Sequence, residues 1–268
     1  MEYPRQRLPG NNRLTVLFSR KKQRVLNVYC TAGYPRLDST LEVMQALETH
    51  GADIIELGMP YSDPLADGPV IQESGGIALQ NGMTIDVLFR QLQGLRKKVQ
   101  VPVVLMGYLN PVLQYGVEKF CADAAAVGVD GIILPDLPAY EFETLYRSSF
   151  EKHGLHFIFL VTPETPEERI RKIDALSSGF LYAVSSSSTT GNEKPIALQE
   201  GYFKRLAAME LKNPVLVGFG IKDRSTFNTA VKYTAGAIIG SAYIRVLGEG
   251  GDIGLSTKEF LNSILGKV

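Results

Sequence analysis

Pro214-Val215-Leu216-Val217-Gly218-Phe219-Gly220-Ile221 and Gly236-Ala237-Ile238-Ile239-Gly240-Ser241-Ala242 share one design. Each is an apolar run of strand length that breaks on glycine just ahead of a helical pattern. Nearly continuous apolar runs are what parallel strands need when helices cover both faces of the sheet. With the strands proper at 214–219 and 236–241, six earlier runs have the same character, at 25–31, 52–58, 102–108, 131–136, 156–162 and 179–185. Between them lie amphipathic patterns spaced at three and four residues: Leu41, Val43, Met44 and Leu47; Val87, Leu88, Leu92 and Leu95; Val117, Phe120, Cys121 and Ala124. Eight strands alternating with helices predict an α/β protein, a (β/α)8 TIM barrel, although a doubly wound open sheet shares the pattern. No linker, low-complexity tract or composition break divides the chain, so a single barrel domain over 1–268 is expected. The intervals after 52–58 and after 179–185 are longer than one βα unit. In barrels, such extended loops at strand C-terminal ends build the active site.

Composition narrows the function. The 268 residues carry 28 basic and 28 acidic side chains, and 45% are hydrophobic. That balance is globular, and zero net charge argues against nucleic acid or a membrane surface as partner. No apolar run is long enough for a membrane span and the N-terminus lacks a signal layout, so a cytoplasmic protein is expected. Cys30 and Cys121 have no metal-ligand spacing and read as reduced, buried side chains. His50 and His153 each precede a glycine, where helices end and a cation suits the dipole; His156 opens a strand. No metal site is therefore expected. Acid–base chemistry falls to carboxylates or tyrosines.

The strand ends supply those groups. Glu56 lies inside the apolar run Asp53-Ile54-Ile55-Glu56-Leu57-Gly58. A buried carboxylate there is costly unless paired or protonated, so Glu56 reads either as a general acid with a raised pKa or as a Glu tied to a Lys or backbone donor. The next loop, stiffened by Pro60, Pro64 and Pro69, carries Asp63 and Asp67. Asp-Pro and Asp-Gly are ordinary turn chemistry; the sharper hypothesis pairs Glu56 with Asp67 over one site. Tyr108 and Tyr182 line an aromatic pocket or simply fill the barrel. Ser185-Ser186-Ser187-Ser188-Thr189-Thr190-Gly191 is a polar loop or a lid rich in hydroxyl donors. The glycine turns at Gly218–Gly220 and Gly240–Ser241 either merely end their strands or, as two such turns on the last two strands favour, form the barrel phosphate site where helix-start N–H groups bind anions. The residues alone thus point to a small phosphorylated substrate and carboxylate acid–base chemistry without metal. An isomerase of a phosphorylated sugar or amine, and a binding-only subunit that activates a partner, are the competing readings.

The run from Glu56 to Gln72, ELGMPYSDPLADGPVIQ, resembles the signature of the tryptophan synthase alpha chain family. Thr31-Ala32-Gly33-Tyr34-Pro35, Gly107-Tyr108-Leu109-Asn110-Pro111, Pro135-Asp136-Leu137-Pro138 and the two glycine turns match in order, so the resemblance spans nearly the whole chain. It implies a lyase that splits indole-3-glycerol phosphate into indole and glyceraldehyde 3-phosphate by a retro-aldol reaction. Glu56 matches the family's general acid–base, and Asp67 the carboxylate that holds the indole N–H. Tyr108 and Tyr182 match pocket residues; Gly191, Gly220, Gly240 and Ser241 match the phosphate site. The resemblance also implies a beta chain as partner in an alpha2-beta2 tetramer. The pyridoxal phosphate cofactor belongs to that beta chain, and none is expected here. One departure is Ser186 and Ser188, where many family members carry a basic residue and a further glycine.

Overall fold

In β1 (Val25–Thr31) every residue is buried, as the apolar run demands. The structure, a computed structural model, describes residues 12–184 and 199–267. β1 pairs in parallel with β2 (Ile54–Gly58) on one side and with β9 (Gly236–Ile239) on the other. From β2 the sheet continues through β3 (Val103–Met106) and β4 (Gly131–Ile133) to β5 (His156–Phe157); from β9 it continues through β8 (Val215–Gly218) and β7 (Leu181–Val184) to β6 (Leu160–Val161). All pairings are parallel.

β5 and β6 close the sheet on itself. They belong to one run, expected as a single strand over 156–162, which changes partner part-way. Ile158 N donates to Ile132 O on the β4 side (3.0 Å), while Phe159 O accepts from Tyr182 N on the β7 side (3.0 Å). A run bonded to both ends of the sheet formed by the other seven strands leaves no open edge, which excludes the doubly wound alternative. The observed ladder therefore has nine pieces, although the chain makes eight passes.

β1 keeps its expected bounds and β2 loses only 52–53 at its start, while the runs 102–108, 131–136, 214–219 and 236–241 stop short because their last residues turn into loops rather than pair. The run 102–108 stops at Met106, for example, and Tyr108 caps helix Leu109–Tyr115. The helical patterns appear as Thr40–His50, Ile85–Gln91 and Val117–Val127. The second ends before Leu92 and Leu95, which stay buried in the following turn. The long interval after β2 holds a loop and an added helix, Pro69–Gln80, opened by Pro69 in its first turn. Residues 185–198, in the interval after β7, lie outside the described residues.

Helix Arg13–Arg20 covers the end of the barrel where the strands start. Asn12 caps it and reaches Asp130 O (2.8 Å) and Gly154 O (3.1 Å); Leu14 is fully buried against Gly131 and Gly179. Beside it, the fully buried Asp130 carboxylate meets Arg96 (2.5 Å) and Arg13 (3.2 Å). His156 is at this end too, against Thr15 Oγ1 (2.9 Å), and burial lowers its pKa. His50 closes helix Thr40–His50, and His153 pairs with Glu118 on the surface. Cys30 and Cys121 are free and buried. Among the described residues, no helix is long and apolar enough to cross a membrane and no cluster of acidic, His or Cys side chains suits a metal ion.

Candidate active site

Strand register brings the polar side chains together. In β1, Asn27, Tyr29 and Thr31 alternate along one face, and their neighbours in β2 are Ile54, Glu56 and Gly58. Paired residues of a parallel ladder point the same way, so Tyr29 stands beside Glu56. Glu56 is 1% exposed. Asn27 Nδ2 donates to its Oε2 at 2.8 Å. Burial pushes the Glu56 carboxyl up to about 8; the Asn27 hydrogen bond holds it down in part, and the charge of Asp67 raises it further.

Asp67 sits in the loop after β2, ahead of helix Pro69–Gln80. Tyr108 anchors it: the phenol donates to Asp67 Oδ2 (3.0 Å) and accepts from Ala66 N (2.9 Å). Burial lifts Asp67 to about 6, with the Tyr108 hydrogen bond opposing. Tyr61 packs on Tyr108, ring centres 5.4 Å apart, and Asn110 Nδ2 donates to the Tyr61 hydroxyl (3.2 Å). Asp63 is exposed and bonded to Ser62 Oγ (2.5 Å), the ordinary turn role.

Tyr182 approaches from β7. It is 4% exposed, and its phenol is held far above its ordinary pKa by burial and by the charges of Glu56 and Asp67. Tyr29 responds to burial and to the same two carboxylates. Two glycines make room for these rings. A Cβ on Gly58 would lie 2.0 Å from the Tyr29 hydroxyl, and one on Gly218 2.2 Å from that of Tyr182. Tyr29 did not emerge from the sequence as a site residue. The alternation of Asn27, Tyr29 and Thr31 puts the three on one face of the strand but does not say which way that face points; the register with β2 turns it toward Glu56.

At the strand ends beyond these rings, Gly240 precedes helix Ser241–Gly248. The first bonds to close are from Tyr243 N (2.9 Å) and Ile244 N (3.1 Å) to Gly240 O, so the N–H groups of Ser241 and Ala242 have no partner within the helix. After β8, Phe219 and Gly220 both take positive φ, 68° and 70°, and the Phe219 ring centre lies 6.4 Å from that of Tyr182. Ile71 of the added helix comes within 3.8 Å of a Cβ built on Gly240, so that helix stands beside the same turn. Gly191, Ser186 and Ser188 lie outside the described residues.

Chemically, the site holds two carboxylates whose surroundings separate their pKa values. At neutral pH Glu56 keeps its proton and Asp67 is mostly ionised, an acid and an anion in one pocket rimmed by phenols. Such a pair protonates one atom of a substrate while stabilising positive charge on another.

A family model described as tryptophan synthase alpha chain matches residues 17–261. The chain belongs to this family. Its members are lyases that cleave indole-3-glycerol phosphate to indole and glyceraldehyde 3-phosphate in tryptophan biosynthesis and pass indole to a beta chain; this chain is such an enzyme. The alpha chain carries no cofactor of its own and works with a beta chain. The tryptophan synthase alpha chain of Flavobacterium johnsoniae is 52% identical over 241 residues, covering 90% of this chain and 95% of its relative. Among solved structures, tryptophan synthase subunit alpha from Legionella pneumophila superposes with a TM-score of 0.85 at 35% identity, over 94% of this chain and 97% of that one. The tryptophan synthase complex of Pyrococcus furiosus gives 0.82 at 35% identity, over 92% and 99%. Structural relatives and sheet closure agree on the barrel.

Proposed function

We propose that Glu56 and Asp67 divide the retro-aldol chemistry of this lyase. Glu56, neutral before the reaction, gives its proton to the indole ring carbon that carries the glycerol chain. The positive charge that develops on the ring nitrogen is met by the Asp67 carboxylate, which accepts the indole N–H. The Glu56 carboxylate then takes the proton of the adjacent glycerol hydroxyl as the C–C bond breaks, releasing indole and the aldehyde and restoring the acid. Tyr29, Tyr108 and Tyr182 wall the indole pocket. The phosphate is received by backbone N–H groups at Gly220, Gly240 and Ser241; Gly191, which the family resemblance adds to this set, lies outside the described residues.

The observation that carries this reading is the placement of the two carboxylates, Glu56 buried on β2 against Asn27 and Asp67 anchored by Tyr108 in the next loop, which sets Glu56 to about 8 and Asp67 to about 6. The wider setting goes with it: one domain over the whole chain, an alpha2-beta2 tetramer with pyridoxal phosphate in the beta chain, and a cytoplasmic location. Indole release from indole-3-glycerol phosphate, with and without added beta chain, is the direct test. Glu56→Gln and Asp67→Asn are each expected to lose at least ~10²-fold in turnover, the scale of general acid–base and electrostatic contributions. Near-wild-type turnover in either variant removes that residue from the mechanism. Size-exclusion chromatography with light scattering on the mixed chains tests the stoichiometry.

A further inference from the structure

The Asn27 side chain is fully buried in β1, and only one of its two polar atoms is used. Nδ2 donates to Glu56 Oε2 at 2.8 Å, while Oδ1 is buried with no hydrogen-bond partner. An orphaned buried carbonyl costs about 1–3 kcal/mol, so it calls for an explanation. The partner that Asn27 does have supplies one. In the proposed reaction Glu56 alternates between a carboxylic acid, which needs an acceptor for its O–H, and a carboxylate, which needs donors. A primary amide offers both on one carbon. A half-turn of the amide exchanges Oδ1 for Nδ2 at the Glu56 oxygen.

We infer that Asn27 is a positioning residue for Glu56, holding it in one orientation by accepting from its acid form through Oδ1 and donating to its carboxylate form through Nδ2. The inference rests on the proton-shuttling role of Glu56 proposed above. Among the described residues, the titratable groups around Glu56 act on it through charge and not through a hydrogen bond. Asp67 faces it from the loop after β2 as a like charge; Tyr29 and Cys30 on β1 and Tyr182 on β7 are acids that its charge pushes further from ionising. Asn27 alone opposes the rise of the Glu56 pKa by hydrogen bonding to its charged form.

The test is the pH profile of indole release by the alpha–beta complex for wild type, Asn27→Leu, Asn27→Ser and Glu56→Gln. Asn27→Leu keeps the branched shape and the number of side-chain heavy atoms and removes both polar atoms. It is expected to lower kcat by ~10–100-fold with KM nearly unchanged and, because the bond to the charged carboxylate is the stronger of the two, to move the alkaline limb up by ~1 pH unit. Asn27→Ser, whose hydroxyl donates and accepts, is expected to recover part of kcat and return the limb toward wild type. A merely structural role would lower stability and leave the limb in place, and that result overturns the inference. Asn27→Val, suited to a strand, carries the same readout if the leucine variant fails to fold. Wild-type turnover in Glu56→Gln would instead sink the Glu56 assignment. An inactive Glu56→Gln beside an unshifted Asn27→Leu sinks only the role of Asn27.

Discussion

Glu56 and Asp67 are the same functional group in two different solvents, and the pH dependence follows from that. In the proposed mechanism turnover requires Asp67 ionised and Glu56 protonated. Indole release is therefore expected to rise with pH through about 6 and fall through about 8. A flat profile from pH 6 to 9 would contradict the assignment. The same shifts act on stability. Glu56 binds its proton more tightly when folded than when unfolded, so its contribution is fully present below the ordinary glutamate range. It is lost as pH rises from there through about 8. Glu56→Gln removes this loss. At about pH 9 the glutamine variant of the free alpha chain is expected to be the more stable by on the order of 2–4 kcal/mol, with the advantage vanishing near pH 4. Denaturant titrations at the two pH values measure it.

Elements carry these side chains in a geometry that single residues do not fix. β1 and β2 pair Tyr29 with Glu56, and β7 and β8 pair Val184 with Gly218, where Tyr182 leans over the glycine. Both close approaches depend on a missing Cβ within a strand. Gly218→Ala would put a methyl group 2.2 Å from the Tyr182 hydroxyl and 2.4–2.5 Å from its ring carbons. A stability loss of about 1–3 kcal/mol is expected from this overpacking, with KM for indole-3-glycerol phosphate raised because Tyr182 must swing into the pocket. Unchanged KM and stability would show that the ring has another place to go. At this scale the sequence was readable in part. Glu56 stood out as a charge in an apolar run and Asp67 as part of a stiff loop. Tyr29 did not, because a tyrosine in a strand looks alike whether it faces helices or the pocket; only the register with β2 separates the two.

Across the whole molecule, the reactive end and the stabilising end are separate. Helix Arg13–Arg20 and the Asp130 ion pairs seal the strand starts, while the carboxylates and glycine turns occupy the middle and far end of the barrel. Leu14→Ala is expected to cost ~2–5 kcal/mol through the cavity it leaves, with kcat for indole release within about twofold of wild type. A large fall in kcat in folded protein would show that the two ends communicate. The sequence by itself determined the α/β alternation, the number of chain passes and the residues with chemical character, since all of these follow from local periodicity and from single charges in apolar runs. The tertiary structure alone decided that the sheet closes rather than stays open, because closure depends on one run, His156 to Val161, bonding to β4 on one side and β7 on the other. It also brought Asn27, Glu56, Asp67, Tyr108 and Tyr182 into hydrogen-bond or electrostatic reach of one another. Burial and neighbouring charge set a carboxylate's proton affinity, and both exist only once distant strands are side by side.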